Sequence, residues 1–330
     1  MFLLKKLVLA FLSFCLAIPG MFTAPTDTVM KYKKAVSSVD AYENTLDTAV
    51  PMTEVYRIVT EFFAEELPAG KTEKKVAVLG YDGCRADALS LMGDAESSGI
   101  QTLLNDGGKV AIAYCGGKPY PNTNPQATST APGWCSMLTG QWADVHGITD
   151  NDIEKSNDCL TMLTTLVEDG TIDDSAFYVS WGGHFNGDGT TYIQEKRYTE
   201  EKGLPVTFKC NSGDEGTFEA TMEDITSEDC SDFIFSIFEF CDHSGHGTGF
   251  GNGNEDYRNA FADAEKTSKA CIDAIKARAT YDTEDWLIII TSDHGGINTG
   301  HGGVSMQERY MFIAANKDVT FDYQTNGIVC

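Results

Sequence analysis

Short apolar segments that alternate with helical stretches constrain the fold of this chain more than any other feature. The strand-length apolar segments cover residues 76–81, 109–114, 176–181, 233–240, 286–291 and 310–315. Strands that are apolar along their whole length are typical of a parallel sheet buried on both faces. Their alternation with helices indicates an α/β fold. We therefore predict an α/β domain with a mostly parallel central sheet and helices on both faces.

Two stretches outside these segments have helical periodicity. Residues 29–66 contain the apolar stripe Val55, Ile58, Val59, Phe62 and Phe63, and the helical pattern ends before Pro68-Ala-Gly70. Residues 255–278 form a longer amphipathic stretch. The first stretch predicts a helical N-terminal extension over residues 25–70, and the main domain follows at residues 71–330.

The N-terminus has the layout of a secretory signal peptide. Lys5 and Lys6 form a basic start, residues 7–18 are apolar, and small residues follow. Pro19 breaks an apolar run that is shorter than a membrane span needs. We predict a signal peptide over approximately residues 1–24, secretion of the chain, and no stable membrane span. An uncleaved signal anchor is the alternative, and the periplasm or an endomembrane lumen are alternative destinations.

Export would also place the cysteines in an oxidising compartment, where disulfides form. The chain has 10 cysteines, of which Cys15 lies in the signal segment. The others are Cys84, Cys115, Cys135, Cys159, Cys210, Cys230, Cys241, Cys271 and Cys330. Their number is odd, so at least one stays free or pairs outside the chain. Disulfides are predicted, but sequence does not reveal the pairing.

The net charge narrows the classes of partner. The net charge of the chain is −25, and its pI is near 4.4. A nucleic-acid-binding protein needs a basic surface instead. Nucleic acid is therefore not expected as a partner. An anionic small molecule would be repelled unless bound cations supplied local positive charge.

Acidic residues follow three of the predicted strands. Asp82, Asp242 and Asp293 each come directly after a strand or within two residues of its end. Open α/β sheets bind ligands at the carboxyl ends of their strands, so these carboxylates should converge at one edge. A single aspartate in such a position is ordinarily a turn residue or a helix cap. The repetition at three strand ends favours a shared site.

Histidines accompany these aspartates in glycine-rich segments. His246 follows Asp242, His294 follows Asp293, and His301 lies in Gly300-His301-Gly302-Gly303. Three carboxylates and three imidazoles would give two divalent metal ions three protein ligands each. This mixture of ligands suits Zn²⁺ best, with Mn²⁺ or Fe as alternatives.

A hydroxyl group precedes a predicted helix at Thr130-Ala131-Pro132. Pro132 suits the first turn of a helix and Gly140 suits its end. Thr130 could therefore be an ordinary N-cap. A helix N-terminus also attracts anions, so Thr130 could equally lie beside a bound phosphate and attack it.

The ordered set of motifs resembles the alkaline phosphatase superfamily, and within it the type I phosphodiesterase/nucleotide pyrophosphatase branch. The resembling segments lie between residues 75 and 316. They are the strand before Asp82-Gly83-Cys-Arg85, the segment from Thr130 through His146-Gly147 to Asp150-Asn151, Asp242-x-x-Gly245-His246, and Asp293-His294-Gly295 followed by Gly300-His301-Gly302.

The resemblance implies a role for each residue. Asp82, Asp293 and His294 would hold the metal beside Thr130, and Asp242, His246 and His301 would hold the second. Thr130 would be both a ligand of the first metal and the nucleophile, and would form a covalent phosphothreonine. Asn151 would bind a phosphate oxygen, while Arg85 and His146 would be structural supports.

The implied function is a secreted, metal-dependent phosphodiesterase acting on a small phosphate ester. Ala131 departs from the aromatic residue that is frequent in the nucleotide-cleaving branch. The alternatives are a phosphomonoesterase, a sulfatase-like hydrolase and an inactive binding protein on the same fold. The chain also ends earlier than family members usually do, so a C-terminal truncation of the 71–330 domain is one interpretation.

Two points stay open at this stage. The sequence does not indicate the oligomeric state. His184, after the third predicted strand, either lines the substrate pocket or lies in a surface loop.

Overall fold

The computed structural model describes residues 49–117, 126–152 and 155–322. It contains one eight-stranded sheet with the order β1-β3-β8-β7-β2-β6-β4-β5. The strands are β1 (Val50–Pro51), β2 (Glu73–Tyr81), β3 (Lys109–Tyr114), β4 (Ser175–Val179), β5 (Val206–Cys210), β6 (Phe233–Phe238), β7 (Glu284–Thr291) and β8 (Tyr310–Ala315). Only β8 runs antiparallel to its neighbours, β3 and β7. The predicted α/β fold with a mostly parallel sheet is confirmed.

Helices of very different lengths surround the sheet. They are α1 (Glu54–Ala64), α2 (Gly99–Asn105), α3 (Thr130–Thr139), α4 (Ala143–His146), α5 (Met162–Glu168), α6 (Ile193–Lys202), α7 (Gly213–Thr226), α8 (Phe240–Thr248), α9 (Glu255–Lys276) and α10 (Met306–Arg309). A 3-10 helix covers Ala86–Leu91. The long helix α9 begins where the Asn254 side chain accepts a hydrogen bond from the Asp256 N–H, and its apolar stripe faces the core.

The six predicted strands are all present, and two have the expected bounds. The third ends at Val179 rather than 181, and the fourth ends at Phe238 rather than 240. The structure adds β1 and β5 at the two edges of the sheet. The side chains of β5 alternate between exposed and partly buried, as expected for an edge strand, so β5 has no continuous apolar run.

The N-terminal segment from residue 49 packs on the main domain. β1 pairs in parallel with β3, and Val55, Ile58, Val59 and Phe62 of α1 are buried. The predicted helix therefore includes Glu54–Ala64 of the described chain. Residues 25–48 of the predicted extension and the signal segment lie outside the described residues, and the predicted domain boundaries stay predictions.

Two further predictions concern the membrane and the cysteines. None of the helices in the described parts of the chain is long and apolar enough to cross a membrane. The eight cysteines described there are all free thiols. Disulfide formation therefore stays a prediction.

The three central strands of the sheet determine where the predicted ligand motifs meet. β2 lies between β7 and β6, and all three run parallel. Their carboxyl ends consequently open on the same edge, at Asp82, Asp293 and Asp242.

Candidate metal centre

The backbone beyond the three central strands brings the aspartates into contact range. The Asp82 N–H donates to the Phe238 carbonyl oxygen (2.8 Å), and the Asp242 N–H donates to the Asp82 carbonyl oxygen (3.0 Å). The Gly83 N–H donates to Asp293 Oδ1 (3.1 Å). Gly83 has φ +66°, and a Cβ there would lie 2.7 Å from the Asp242 Cα. Glycine is needed at this turn because any side chain would strain it and push the segments apart.

Two separate groups of ligand-type side chains result. In the first group Asp82, Asp293 and His294 offer ligand atoms within 4.8 Å of one another, and in the second Asp242, His246 and His301 do the same. These are the two sets of three that the family resemblance implies. The groups are adjacent, since the rings of His294 and His301 have centroids 4.1 Å apart.

The three histidines of these groups share one orientation. Their Nδ1 atoms lie against backbone carbonyl oxygens: His246 against Thr299 (3.0 Å), His294 against Gly295 (2.8 Å) and His301 against Thr128 (3.1 Å). A carbonyl oxygen can only accept, so each Nδ1 carries the hydrogen. In the neutral rings each Nε2 then keeps a free lone pair. Hydrogen bonding of the far nitrogen is how metal-binding histidines are commonly held.

The Nε2 atoms of these histidines point toward carboxylate oxygens or toward another Nε2 atom. His246 Nε2 lies 3.1 Å from His301 Nε2 and 3.3 Å from Asp242 Oδ2. His294 Nε2 lies 3.3 Å from Asp293 Oδ2 and 3.4 Å from Asp82 Oδ1. An Nε2 lone pair that faces a carboxylate oxygen at these distances is repelled unless a cation or a proton lies between them.

Two carboxylate oxygens support the same interpretation. Asp242 Oδ1 and Asp293 Oδ2 are buried without a hydrogen-bond partner in the described chain. An unpaired buried carboxylate oxygen is costly, whereas a divalent cation would compensate its charge. The donor set of both groups therefore fits a divalent metal ion.

Burial also changes the protonation of these groups. Burial raises the pKa of Asp82 well above its usual value, and the nearby Asp293 carboxylate raises it further. Burial likewise raises the pKa values of Asp293 and Asp242. It lowers the pKa values of His294 and His301. Without cations the groups favour their uncharged forms, because charge is poorly solvated there.

Helix α3 places a hydroxyl group beside the first cluster. Thr130 is the first residue of α3, and its Oγ1 lies 3.3 Å from Asp82 Oδ1 and 3.4 Å from His294 Nε2. The N-cap position belongs to Ser129, and the N-cap interpretation of Thr130 is therefore wrong. α3 can approach this closely because residue 133 is glycine: a Cβ there would lie 3.0 Å from Asp293 Cβ.

The amide of Asn151 lies at the start of the same helix. Asn151 Oδ1 accepts a hydrogen bond from the Ala131 N–H (2.8 Å). Because Oδ1 is used in this way, the Nδ2 hydrogens remain to donate to a bound anion. Pro132 has no N–H, so this helix terminus offers an anion fewer N–H donors than a helix terminus without proline.

Three features of the candidate site were not predicted from the sequence. The Trp134 indole Nε1 donates to Asp82 Oδ2 (2.7 Å), so this core tryptophan also orients a candidate ligand. Thr128 accepts at its carbonyl from His301. The third is Glu239, which forms a further acidic group with Asp82 and Asp242. Burial, and repulsion from Asp242, raise the pKa of Glu239 to about 8.

Other predicted residues lie outside the two ligand groups. Arg85 pairs with Asp87 (2.6 Å). His146 Nδ1 accepts from the Ile148 N–H (3.1 Å), its Nε2 lies 3.0 Å from Ser136 Oγ, and burial lowers its pKa to about 4. The contacts of Arg85 and of His146 are structural.

His184 does not lie in a surface loop, because it is fully buried. Its ring packs against those of Phe177, Trp181 and Tyr192. The surface-loop alternative is therefore wrong.

The fold and this arrangement define a class of protein. A mostly parallel α/β sheet with adjacent carboxylate–imidazole groups and a threonine at its carboxyl edge is the architecture of the alkaline phosphatase superfamily. The model of one family within it, "Type I phosphodiesterase / nucleotide pyrophosphatase", matches residues 76–311. The chain belongs to this family, whose members are hydrolases of phosphoric ester bonds, as its motifs predicted.

Solved structures with a similar fold include two kinds of hydrolase. Murine ectonucleotide pyrophosphatase/phosphodiesterase 5 is 20% identical over 67% of this chain and 57% of its own, with a TM-score of 0.47. A 2-O GAG sulfatase is 13% identical over 77% of this chain and 66% of its own, also with a TM-score of 0.47. The present chain thus spans little more than half of the murine enzyme. A search of curated proteins found no match.

Proposed function

We propose that this chain is a secreted, metal-dependent phosphodiesterase that uses Thr130 as its nucleophile. One observation carries the proposal: Thr130 Oγ1 lies within 3.4 Å of two candidate ligands of the first cluster, next to the second cluster. Packing alone does not explain why this hydroxyl lies beside two buried ionisable side chains.

The two clusters are proposed to hold one divalent cation each. Asp82, Asp293 and His294 would hold the ion nearest Thr130, which itself would lie within reach of that ion. The second ion would take Asp242, His246 and His301. Imidazole and carboxylate donors together favour Zn²⁺. Bound cations would place positive charge beside the phosphoryl oxygens and beside the attacking and leaving oxygens.

The protein side of the reaction follows from the position of Thr130. Its hydroxyl hydrogen points to Asp82 Oδ1, which leaves an oxygen lone pair for attack on phosphorus. As the Thr130 Oγ–P bond forms, the hydroxyl gives up its proton and the P–O bond to the first alcohol breaks. That alcohol leaves with its oxygen and takes up one proton, and a phosphothreonine ester remains. Water then attacks phosphorus, releases the phosphate monoester and returns the hydroxyl of Thr130.

Asn151 is proposed to orient the phosphoryl group. Its Oδ1 is held by the Ala131 N–H, so the direction of Nδ2 is fixed before substrate binds. A donor fixed in advance loses little entropy when the charge on phosphorus-bound oxygen develops.

A diester substrate fits the described charges better than a monoester. A monoester carries a second negative charge and would require further cations. Arg85, the arginine of the first motif, is already paired with Asp87 and approaches the Gly296 carbonyl oxygen. Ala131 is fully buried and offers no surface to a nucleobase, so the proposal does not include a nucleotide preference.

Matched threonine variants test the nucleophile. Thr130→Ala should reduce hydrolysis of bis-p-nitrophenyl phosphate by several orders of magnitude, whereas Thr139→Ala, at the other end of α3, should retain it. Thr139 is about as buried as Thr130, and its hydroxyl donates to the Cys135 carbonyl oxygen (2.6 Å) and accepts from the Gln141 N–H (3.3 Å), away from the ligand groups. Activity that survives both Thr130→Ala and a chelator would refute the mechanism.

The same assay distinguishes the other predicted activities. p-Nitrophenyl phosphate and p-nitrophenyl sulfate in parallel would reveal a monoesterase or a sulfatase. Elemental analysis that finds well under one metal per chain would favour the inactive binding protein. For secretion, the supporting feature is the N-terminal pattern of Lys5, Lys6 and residues 7–18, and the mass of the secreted chain would reveal cleavage near residue 24.

A further inference from the structure

Two buried cysteines flank the metal centre. Cys84 follows Asp82 by two residues, and Cys241 directly precedes Asp242. Both side chains are fully buried, and the Cys84 thiol lies close enough to the Cys241 thiol for the two to interact. The proposed mechanism uses neither sulfur.

The backbone around the pair is already held at close range. The Asp242 N–H donates to the Asp82 carbonyl oxygen (3.0 Å), and Gly83 packs against the Asp242 backbone. The Cys84 N–H donates to Ser292 Oγ (3.0 Å), which fixes Cys84 to the end of the third central strand as well. Neighbouring segments with contacting thiols meet the main condition for a disulfide, since little backbone movement is needed to join them.

We propose that Cys84 and Cys241 form a disulfide bond that ties the carboxyl end of β2 to the start of α8. Oxidised glutathione, or another disulfide donor of the secretory route, is the oxidant. One cysteine thiolate attacks the donor and releases one thiol. The second cysteine thiolate then attacks this mixed disulfide and releases the other, so two electrons and two protons pass to the donor. Both sulfurs are buried, so the exchange takes place while the chain folds.

The disulfide would stiffen the junction between the two ligand groups. Asp82 belongs to the first group and Asp242 to the second, so a covalent link here limits how far the groups can separate. The link itself does not depend on the proposed function, but its effect on metal retention does. We expect metal to dissociate several times faster from the reduced protein than from the oxidised one.

Peptide mapping tests the link directly. The full chain, exported through an oxidising compartment, is alkylated under denaturing conditions without reduction and digested with trypsin and a glutamate-specific protease. Cleavage after Lys75 and Arg85 isolates Cys84 in residues 76–85, and cleavage after Glu239 and Glu255 isolates Cys241 in residues 240–255. We expect these peptides to be joined, and to separate on reduction.

The equally buried Cys271 in α9 is the internal control. It should be recovered alkylated in residues 270–276. If Cys84 and Cys241 are recovered alkylated like Cys271, the proposal is overturned.

Variants separate the disulfide from the proposed function. Reduction should lower the melting temperature of the wild type and of Cys271→Ala, but not that of Cys84→Ala/Cys241→Ala. An equal effect of reduction on all three proteins would contradict the proposal. A joined pair in a protein that binds no Zn²⁺ would refute the metal function and leave the disulfide standing. Should the double variant fail to fold, the wild-type peptide map alone decides.

Discussion

Replacing Thr128 with valine tests how His301 is held in the second ligand group. Thr128 is buried; its hydroxyl donates to the Gly303 carbonyl oxygen (2.9 Å) and accepts from the Gly302 N–H (3.1 Å). Its own carbonyl oxygen accepts from His301 Nδ1. Valine has nearly the same shape but removes both hydroxyl bonds, so the loop that carries His301 loses its attachment on one side.

The expected size follows from those two bonds. Each contributes roughly 0.5–1.5 kcal/mol, so their loss costs about 1–3 kcal/mol. If that cost falls on the orientation of His301, metal affinity at this position drops on the order of 5- to 150-fold. This range overlaps the roughly 10- to 100-fold loss typical when a residue that orients a metal ligand is replaced.

The assay is a zinc titration against a competing fluorescent chelator, which resolves two binding steps. One step should weaken in Thr128→Val, while the step assigned to Asp82, Asp293 and His294 should stay unchanged. Thr128→Ser keeps the hydroxyl and should bind like the wild type. Wild-type affinity in Thr128→Val, or equal weakening of both steps, would show that this contact does not position His301.

Three further perturbations have defined outcomes. Removing metal with a chelator should lower the melting temperature, and adding Zn²⁺ to 100 times its Kd should stabilise the fold by about 2.7 kcal/mol per site; a melting temperature independent of Zn²⁺ would contradict metal binding. Asn151→Ala should lower kcat roughly 100-fold with unchanged metal content, because a donor to the phosphoryl oxygen is lost; loss of metal instead would assign Asn151 a structural role. Glu265→Gln should change the pH dependence of stability, since burial raises the pKa of Glu265 from 4.5 to about 7. The contribution of Glu265 to stability is full below pH 4.5 and is lost as pH rises through 7, so the variant should gain up to about 3 kcal/mol at pH 8 and little at pH 4.5. Urea unfolding at both pH values measures this, and an equal gain at both would contradict it.

The centre of the fold could be predicted because its strands are buried on both faces. β2, β6 and β7 have long apolar stretches, and each leads to a ligand-type aspartate. Edge strands carry a weaker signal. β1 is two residues long, and β5 alternates polar and apolar side chains, so neither stands out from a loop or a helix end.

Contacts that depend on three-dimensional neighbours could not be read from the chain. Trp134 is four residues beyond Thr130, and only the first turns of α3 bring its indole N–H to Asp82. Cys84 and Cys241 are far apart in sequence and meet only because β2 and β6 are adjacent in the sheet. The motifs indicate which residues are candidate ligands, but not which side chains hold them in place.

The charge of the two ligand groups links metal binding to substrate binding. With metal bound, the three aspartates of the two ligand groups would together carry three negative charges, and the Nδ1 atoms of the histidines beside them lie against backbone carbonyl oxygens. Without cations, burial favours the uncharged carboxyl groups, so the site offers an anionic phosphate ester no positive charge. Two divalent cations would exceed the charge of the aspartates by one, and the site would then attract a diester that carries a single negative charge. Substrate affinity should therefore depend on metal occupancy even in Thr130→Ala, where no reaction takes place. Equilibrium dialysis of that variant with a diester, with and without Zn²⁺, measures this dependence, and equal binding in both conditions would contradict it.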